Sequence, residues 1–317
     1  MNTFDVLIVG GGAAGLSAAL VLSRARRSVV VVDAGQPRNA PAAHMQGFLG
    51  SDGLPPSELL AAGRREVAGY GGRIRHATVT GLRRVDTDAA HVFAAVLDQG
   101  EPVHARRVLV TTGLRDELPA IPGLWERWGR DVLHCPYCHG YEVRGRRLGV
   151  IGGTDEAVAH AHLVRQWSDD VVYFTHDRPL AAEQQERLAA RGIRVVDGPI
   201  DRIEIEDDRL AGVRLASGQT VARDAVFVRP RFVPNSALLR DLGCATDPGG
   251  WPVVDPTGRT SEPGVWAAGN AANPRAQVIT AAGEGSAAAI AINNDLVEDD
   301  VATAVRPHRA TPDPITG

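Results

Sequence analysis

The 317-residue chain contains no lysine; all 34 of its lysine-or-arginine positions are arginine. That excludes a Walker-type phosphate loop, which needs its lysine, and every mechanism that passes through a lysine Schiff base. Cysteine is scarce as well. Three residues are too few for a disulfide-stapled secreted scaffold. The net charge of −4 provides no basic field for nucleic acid or acidic lipid, so neither is expected as a partner. No apolar run approaches the length of a membrane span. The opening Met1-Asn2-Thr3-Phe4-Asp5 lacks the charged head and long apolar core of an export signal. The expected location is therefore the cytoplasm.

With 44% hydrophobic and 23% charged residues, the composition is that of an ordinary globular protein, and the length suits two domains. Phe4 to Val9 reads as a buried strand, Ala13 to Arg24 as a helix, and Ser28 to Val32 as a second buried strand ending at Asp33. This is a βαβ unit. A helix over Pro56 to Gly69, weaker strands from Ile74 to Leu97 and a strand at Arg107 to Thr111 follow. The proline-dense Leu118 to Gly123 marks a crossover. A second strand–glycine–helix–strand unit opens at Arg147 to Ile151, with a helix over Ala157 to Trp167 and a strand at Val171 to Phe174. Val265 to Ala268 is a last short strand and Gln277 to Leu296 a long Ala-rich helix, and from Ala302 a loose tail is expected. The expected fold is α/β, with two Rossmann-like nucleotide-binding domains of three ββα layers, the second inserted into the first. The outer domain takes 1–115 and 245–317, and the inserted one takes 116–244.

Gly10-Gly11-Gly12-Ala13-Ala14-Gly15 satisfies G-x-G-x-x-G between a strand and a helix, the context that the motif requires. Gly10 permits the turn, Gly12 lets the backbone approach a pyrophosphate, and Gly15 lets helix and strand pack closely. The helix start offers unpaired N–H groups to phosphate, and Asp33 stands where a carboxylate meets a ribose diol. The second turn, Gly152-Gly153-Thr154-Asp155-Glu156-Ala157, departs from the fingerprint. Thr154 replaces the middle glycine, and two acids lie where phosphates would sit. Only one arginine, Arg178, follows the next strand. Nucleotide affinity in this domain is expected to be impaired, so NADPH is not expected to be used.

Cys135-Pro136-Tyr137-Cys138-His139 is the expected chemical centre. Two thiols at this spacing can form a small redox-active disulfide. C-x-x-C-H is also the attachment pattern of c-type haem, but that goes with export. Zinc needs four ligands, and Cys244 is far away in sequence. An inert buried pair is the third alternative. Cys244 is read as a small packed residue. His139 is positioned in sequence to take a thiol proton near neutral pH; the competing role is a helix-end cap. Glu142 is near, and His160 and His162, two apart on one helix, do not form a metal pair. No metal site is expected.

Together, the glycine fingerprint, Thr112-Gly113, the C-x-x-C after the crossover and Gly264 through Ala282 resemble the low-molecular-weight thioredoxin reductase family of FAD-dependent disulfide oxidoreductases. The resemblance spans roughly residues 4 to 297. It implies FAD in the discontinuous domain, a homodimer, Cys138 against the flavin and Cys135 exchanging with substrate. It also implies flavin contacts from Gly269, Asn270, Gln277 and Val278, with Asp33, Ala34, Gly35, Arg38 and His44 helping to hold the cofactor. Family reductases carry an acid directly after the second cysteine, where His139 stands. They have Gly-Asp where this chain has Gly269-Asn270, a side chain that can donate as well as accept. Cys-Pro-Tyr-Cys-His-Gly-Tyr-Glu and Gly47-Phe48-Leu49-Gly50 resemble the branch of dithiol oxidases that close disulfides in natural products such as gliotoxin and holomycin. In those enzymes a small dithiol reduces the cysteine pair, the pair reduces FAD, and oxygen reoxidises FAD to give peroxide. Two alternatives stand beside this: an NADPH-dependent reductase of a thioredoxin-like protein, and an electron-carrying or sensing protein without turnover.

Overall fold

The computed structural model of the chain describes residues 3–86 and 91–310. They divide into two compact units. The first is drawn from the stretch up to Arg38, from Ser57–Arg115 and from Val233 onward; the second is drawn from Asn39–Pro56 and Asp116–Phe232.

The first unit is built on a sheet in the order Arg73–His76, Val29–Asp33, Thr3–Val9, Val103–Val110, His91–Leu97, Val79–Asp86. Val265–Ala267 pairs with the C-terminal half of Val103–Val110. The strands from Arg73 to Val110 in this order run parallel, and the last two are antiparallel. Parallel strands need both faces covered, and alternate side chains supply both. Val6, Ile8, Val29 and Val31 pack with Leu16, Leu22, Trp266, Ile292 and Leu296 on the face that carries helices Ala13–Arg24 and Val278–Ala310. Leu7, Val9, Val30 and Val32 pack on the other face with Phe93, Leu97, Leu238 and Leu239.

Two expectations are corrected here. The chain does not loosen at Ala302; helix Val278–Ala310 continues, and the rest of the expected tail, 311–317, lies outside the described residues. Ion pairs Arg107–Asp295 (2.5 Å), Arg106–Asp299 (2.9 Å) and Arg27–Asp300 (2.8 Å) hold it against the sheet unit just before that point. The unit boundaries also differ from 115 and 245. Residues 233–244 belong to the first unit, because Leu238, Leu239 and Cys244 are buried in its core. Residues 39–56 belong to the second.

The second unit has a five-stranded parallel sheet in the order Arg194–Val196, Val171–Phe174, Leu148–Ile151, Ala225–Phe227, Val132–Leu133. A three-stranded antiparallel sheet, Ile200–Glu206, Arg209–Leu215 and Thr220–Ala222, joins it through a shared core that includes Val132, Ile151, Val172, Ile203 and Val213. The buried Arg127 links Asp131 (2.6 Å) and Asp208 (2.7 Å) in this unit.

Candidate functional site

In each unit the residues of interest collect at the carboxyl ends of parallel strands, where open α/β sheets bind ligands. In the first unit, Gly10–Gly15 follow Thr3–Val9, Asp33 to Gly35 end Val29–Asp33, Thr111 to Gly113 follow Val103–Val110, and Ala268 to Asn270 follow Val265–Ala267. The glycines are dictated by contact. Gly10 has φ +108°, and a Cβ there would lie 2.5 Å from the Thr111 carbonyl oxygen. A Cβ on Gly15 would lie 1.9 Å from Gly10 O. Thr111 Oγ1 closes the turn by donating to Gly10 O at 2.8 Å. Gly12 is different, since nothing lies within 4 Å of its Cβ position. It is a bare stretch of backbone at the start of helix Ala13–Arg24.

Asp33 Oδ1 accepts the Gly11 N–H (3.1 Å) and Oδ2 accepts from Arg64 Nη2 (3.1 Å). A carboxylate has about four lone-pair sites, which leaves capacity for a diol. Thr112 and Asn235 exchange hydrogen bonds beside Gly113, whose φ is +70°. Asn270 corrects the sequence reading. Its Nδ2 already donates to Asn273 O (2.9 Å) and Ala276 O (3.1 Å). Two carbonyl acceptors fix the amide orientation, so the side chain offers its oxygen as an acceptor and has no donor to spare. Gln277 and Val278 open the long helix next to this loop. Arg38 closes the first stretch of this unit. His44, grouped with the flavin contacts by resemblance, lies in a segment of the second unit and meets Gly53 O at 3.0 Å.

In the second unit, Val132–Leu133 runs through His134 into Cys135, which starts the single helical turn Pro136–His139. Proline suits the first position, where no N–H is needed. The N–H groups of Cys138 and His139 both donate to Cys135 O at 3.1 Å. Cys135 and Cys138 are joined by a disulfide, with Cα atoms 5.2 Å apart. Gly140 lets the Trp167 ring close over the turn, since a Cβ would come within 2.7 Å of it. Tyr137 meets Trp167 edge-on at 5.7 Å. His139 Nδ1 is buried and has no hydrogen-bond partner. Burial lowers the His139 pKa, with Glu142 opposing, so the imidazole is neutral at pH 7. His160 is pushed down to about 3 by burial and by neighbouring His134 and Arg229, while its Nε2 donates to His134 O at 3.0 Å. It is a neutral structural ring. Cys244, the free thiol, is buried, and burial raises its pKa.

The glycine turn of the second unit occupies the equivalent strand end but is built differently. Gly153 takes φ +99°. Thr154 Oγ1 is buried without a partner. Asp155 is ion-paired to Arg178, so the arginine that follows the next strand is neutralised by the acid in the turn. Glu156 stands at the N-cap position of helix Ala157–Val164 without a side-chain capping hydrogen bond, which puts a second acid beside Asp155 at the helix start, where a pyrophosphate would use the free N–H groups. The edge of the first unit thus presents open backbone and a carboxylate with spare acceptor capacity, and the edge of the second presents a β-branched residue and an ion pair.

The sequence profile of the pyridine nucleotide-disulphide oxidoreductases matches residues 4–285. The chain belongs to that family. Thioredoxin reductase sirT of Leptosphaeria maculans is 31% identical over 320 residues, covering 95% of this chain and 97% of that protein. Among solved structures, HlmI superposes with a TM-score of 0.94 at 55% identity over 97% of each chain. An oxidoreductase from Agrobacterium tumefaciens gives 0.86 at 38% identity, covering 93% of this chain and 99% of that one. Family membership implies FAD as well as a pyridine nucleotide. The bare Gly12 backbone, the Gly10–Gly15 cradle and the Asp33 carboxylate would hold the FAD. Among the described residues, no helix is long and apolar enough to cross a membrane.

Sequence reasoning missed two members of the first edge. Arg64 pairs with Asp33 from helix Pro56–Gly69. Glu284 accepts the Gly269 N–H (3.0 Å) and Asn273 Nδ2 (2.6 Å). Neither sits at a motif spacing.

Proposed function

We propose that this protein is an FAD-dependent dithiol oxidase that closes a disulfide in a small-molecule natural-product dithiol, with oxygen as final acceptor and hydrogen peroxide as product. The observation that carries the reading is the contrast between the two strand-end edges. One offers a bare glycine backbone and an acid to a dinucleotide. The other carries Thr154 where the first has Gly12, and its Asp155 is ion-paired with Arg178. Electrons then enter through thiols and not through NADPH. A substrate thiolate attacks Cys135 and releases Cys138 as thiolate; the second substrate thiolate displaces Cys135, which leaves as a thiol. The substrate loses two electrons and two protons, and the cysteine pair gains two electrons. His139, neutral at pH 7, takes a thiol proton as the first thiolate forms. Bound FAD would supply the two-electron acceptor that restores the Cys135–Cys138 disulfide and passes electrons to oxygen. The working form is taken to be a cytoplasmic homodimer.

An anaerobic titration of the purified yellow protein tests this. A small dithiol is expected to bleach the flavin, NADPH is not, and air is expected to restore the colour with peroxide formed. Rapid bleaching by NADPH would make the protein a reductase of thioredoxin-like partners instead.

His139→Ala is expected to slow dithiol-driven flavin reduction about 100-fold at pH 7, within the usual range for general-base removal. The wild-type rate falls as pH drops through the lowered His139 pKa, because the imidazole is then protonated and no longer accepts. The two proteins converge above about pH 9, where substrate thiols ionise unaided. Parallel pH profiles would take His139 out of the step.

A further inference from the structure

Small residues force an unusual approach at the first edge. A Cβ on Gly285 would lie 2.0 Å from Ala14 O, and one on Gly269, at φ +64°, would lie 2.9 Å from Ala14 Cβ and 3.4 Å from Ala281 Cβ. The start of helix Ala13–Arg24, the turn at Gly269 and the first turns of helix Val278–Ala310 therefore touch through backbone and methyl groups. That contact sets Glu284, next to Gly285, against the Gly269–Ala276 loop. Its two oxygens are then divided: Oε2 takes the Gly269 N–H at 3.0 Å, and Oε1 takes Asn273 Nδ2 at 2.6 Å. Asn273 is held at its other end too, since Oδ1 accepts the Arg275 N–H at 3.0 Å. With Asn273 fixed, its carbonyl oxygen and that of Ala276 are in place to receive both contacts of Asn270 Nδ2.

We propose that Glu284 is a positioning residue for the flavin: through Gly269 and Asn273 it fixes the loop so that Asn270 presents its carbonyl oxygen, and not its N–H groups, to the bound cofactor. This rests on the reading that the first edge holds FAD. A carboxylate suits the task because it accepts from two donors at once and makes the stronger, charge-assisted bonds. Asn270 Oδ1 then serves as an acceptor for a ligand hydroxyl. Glu284 acts through Gly269 and Asn273, whose donors take up both of its oxygens.

The test is the rate at which FAD leaves the holoenzyme on dilution, followed by the rise in flavin fluorescence. Glu284→Ala is expected to speed release about tenfold, and Glu284→Gln, which keeps one acceptor, to fall between it and the wild type. Asn270→Ala is expected to speed release as well. In the Asn270→Ala background, Glu284→Ala should add less than about threefold, because the two act through one network. If Glu284→Ala does not fold, Glu284→Gln with and without Asn270→Ala carries the same comparison. A release rate unchanged by either Glu284 variant overturns the assignment, as do effects of Glu284 and Asn270 that multiply fully. A wild-type protein that carries no FAD overturns the flavin reading and this assignment together. FAD-bearing wild type with an unaffected Glu284→Ala overturns this assignment alone.

Discussion

Replacing either Cys135 or Cys138 by serine is expected to leave a folded, yellow protein whose dithiol oxidation is at least about 10³-fold slower. Serine preserves the shape of the turn. The hydrogen bonds that close it run from the N–H groups of residues 138 and 139 to Cys135 O and do not involve sulfur. What is lost is the disulfide, and with it the two-electron store between substrate and flavin. The two variants should nevertheless differ. Incubated anaerobically with the symmetric disulfide of a small monothiol, Cys138→Ser keeps the Cys135 thiol. Its thiolate attacks that disulfide, one monothiolate diffuses away, and the other half stays bound through a mixed disulfide that no neighbouring thiol resolves. Mass spectrometry should find that adduct on Cys135. Cys135→Ser should not accumulate it. An adduct that forms on Cys138 in Cys135→Ser, and not in the other variant, would reverse the assigned roles. Turnover by both variants at wild-type rate would remove the pair from the reaction.

What could be read from the sequence was local. Gly10 to Gly15, the strand before them and Asp33 after them declare their geometry within one βαβ unit, and steric contact bears the glycines out: a Cβ at Gly10 or Gly15 meets backbone at once. The C-x-x-C was equally plain, because three residues of separation suffice for a disulfide with Cα atoms 5.2 Å apart. What was missed joins residues distant in sequence. Arg64 reaches Asp33 from another helix, and Glu284 reaches Gly269 and Asn273 across a close helix contact. Asn270 looked like a free amide until Asn273 and Ala276 were seen to consume its donors. The helix past Ala302 follows from aspartates paired with Arg27, Arg106 and Arg107, partners that no local propensity reveals. In the second unit, Thr154 was legible as a departure from the fingerprint. The pairing of Asp155 with Arg178, which neutralises the remaining cation, needed the structure.

Two alanine substitutions in the glycine fingerprint are expected to separate folding from cofactor binding. Gly15→Ala puts a methyl 1.9 Å from Gly10 O and 2.7 Å from Thr111 Oγ1. Neither neighbour is the end of a flexible chain, so the helix must shift away from the strand. Stability should fall by about 2 kcal/mol or more, as overpacking of a tight contact does, and FAD should be lost as a consequence. Gly12→Ala behaves in the opposite sense. Its φ of −78° is open to any residue, and nothing lies within 4 Å of the new methyl. The apoprotein should therefore lose only about 1 kcal/mol, the ordinary cost of alanine at a helix N-cap. Yet Gly12 is where backbone N–H groups must come closest to a pyrophosphate, and a methyl there stands in the ligand's place. FAD affinity should fall by at least about 100-fold, and the protein should be purified nearly colourless. Calorimetry of the apoproteins and fluorescence titration with FAD read the two quantities independently. A Gly12→Ala protein that binds FAD as tightly as the wild type would mean that the open backbone at Gly12 is not the pyrophosphate site. The emptiness around its Cβ position would then be only the room left by a tight turn.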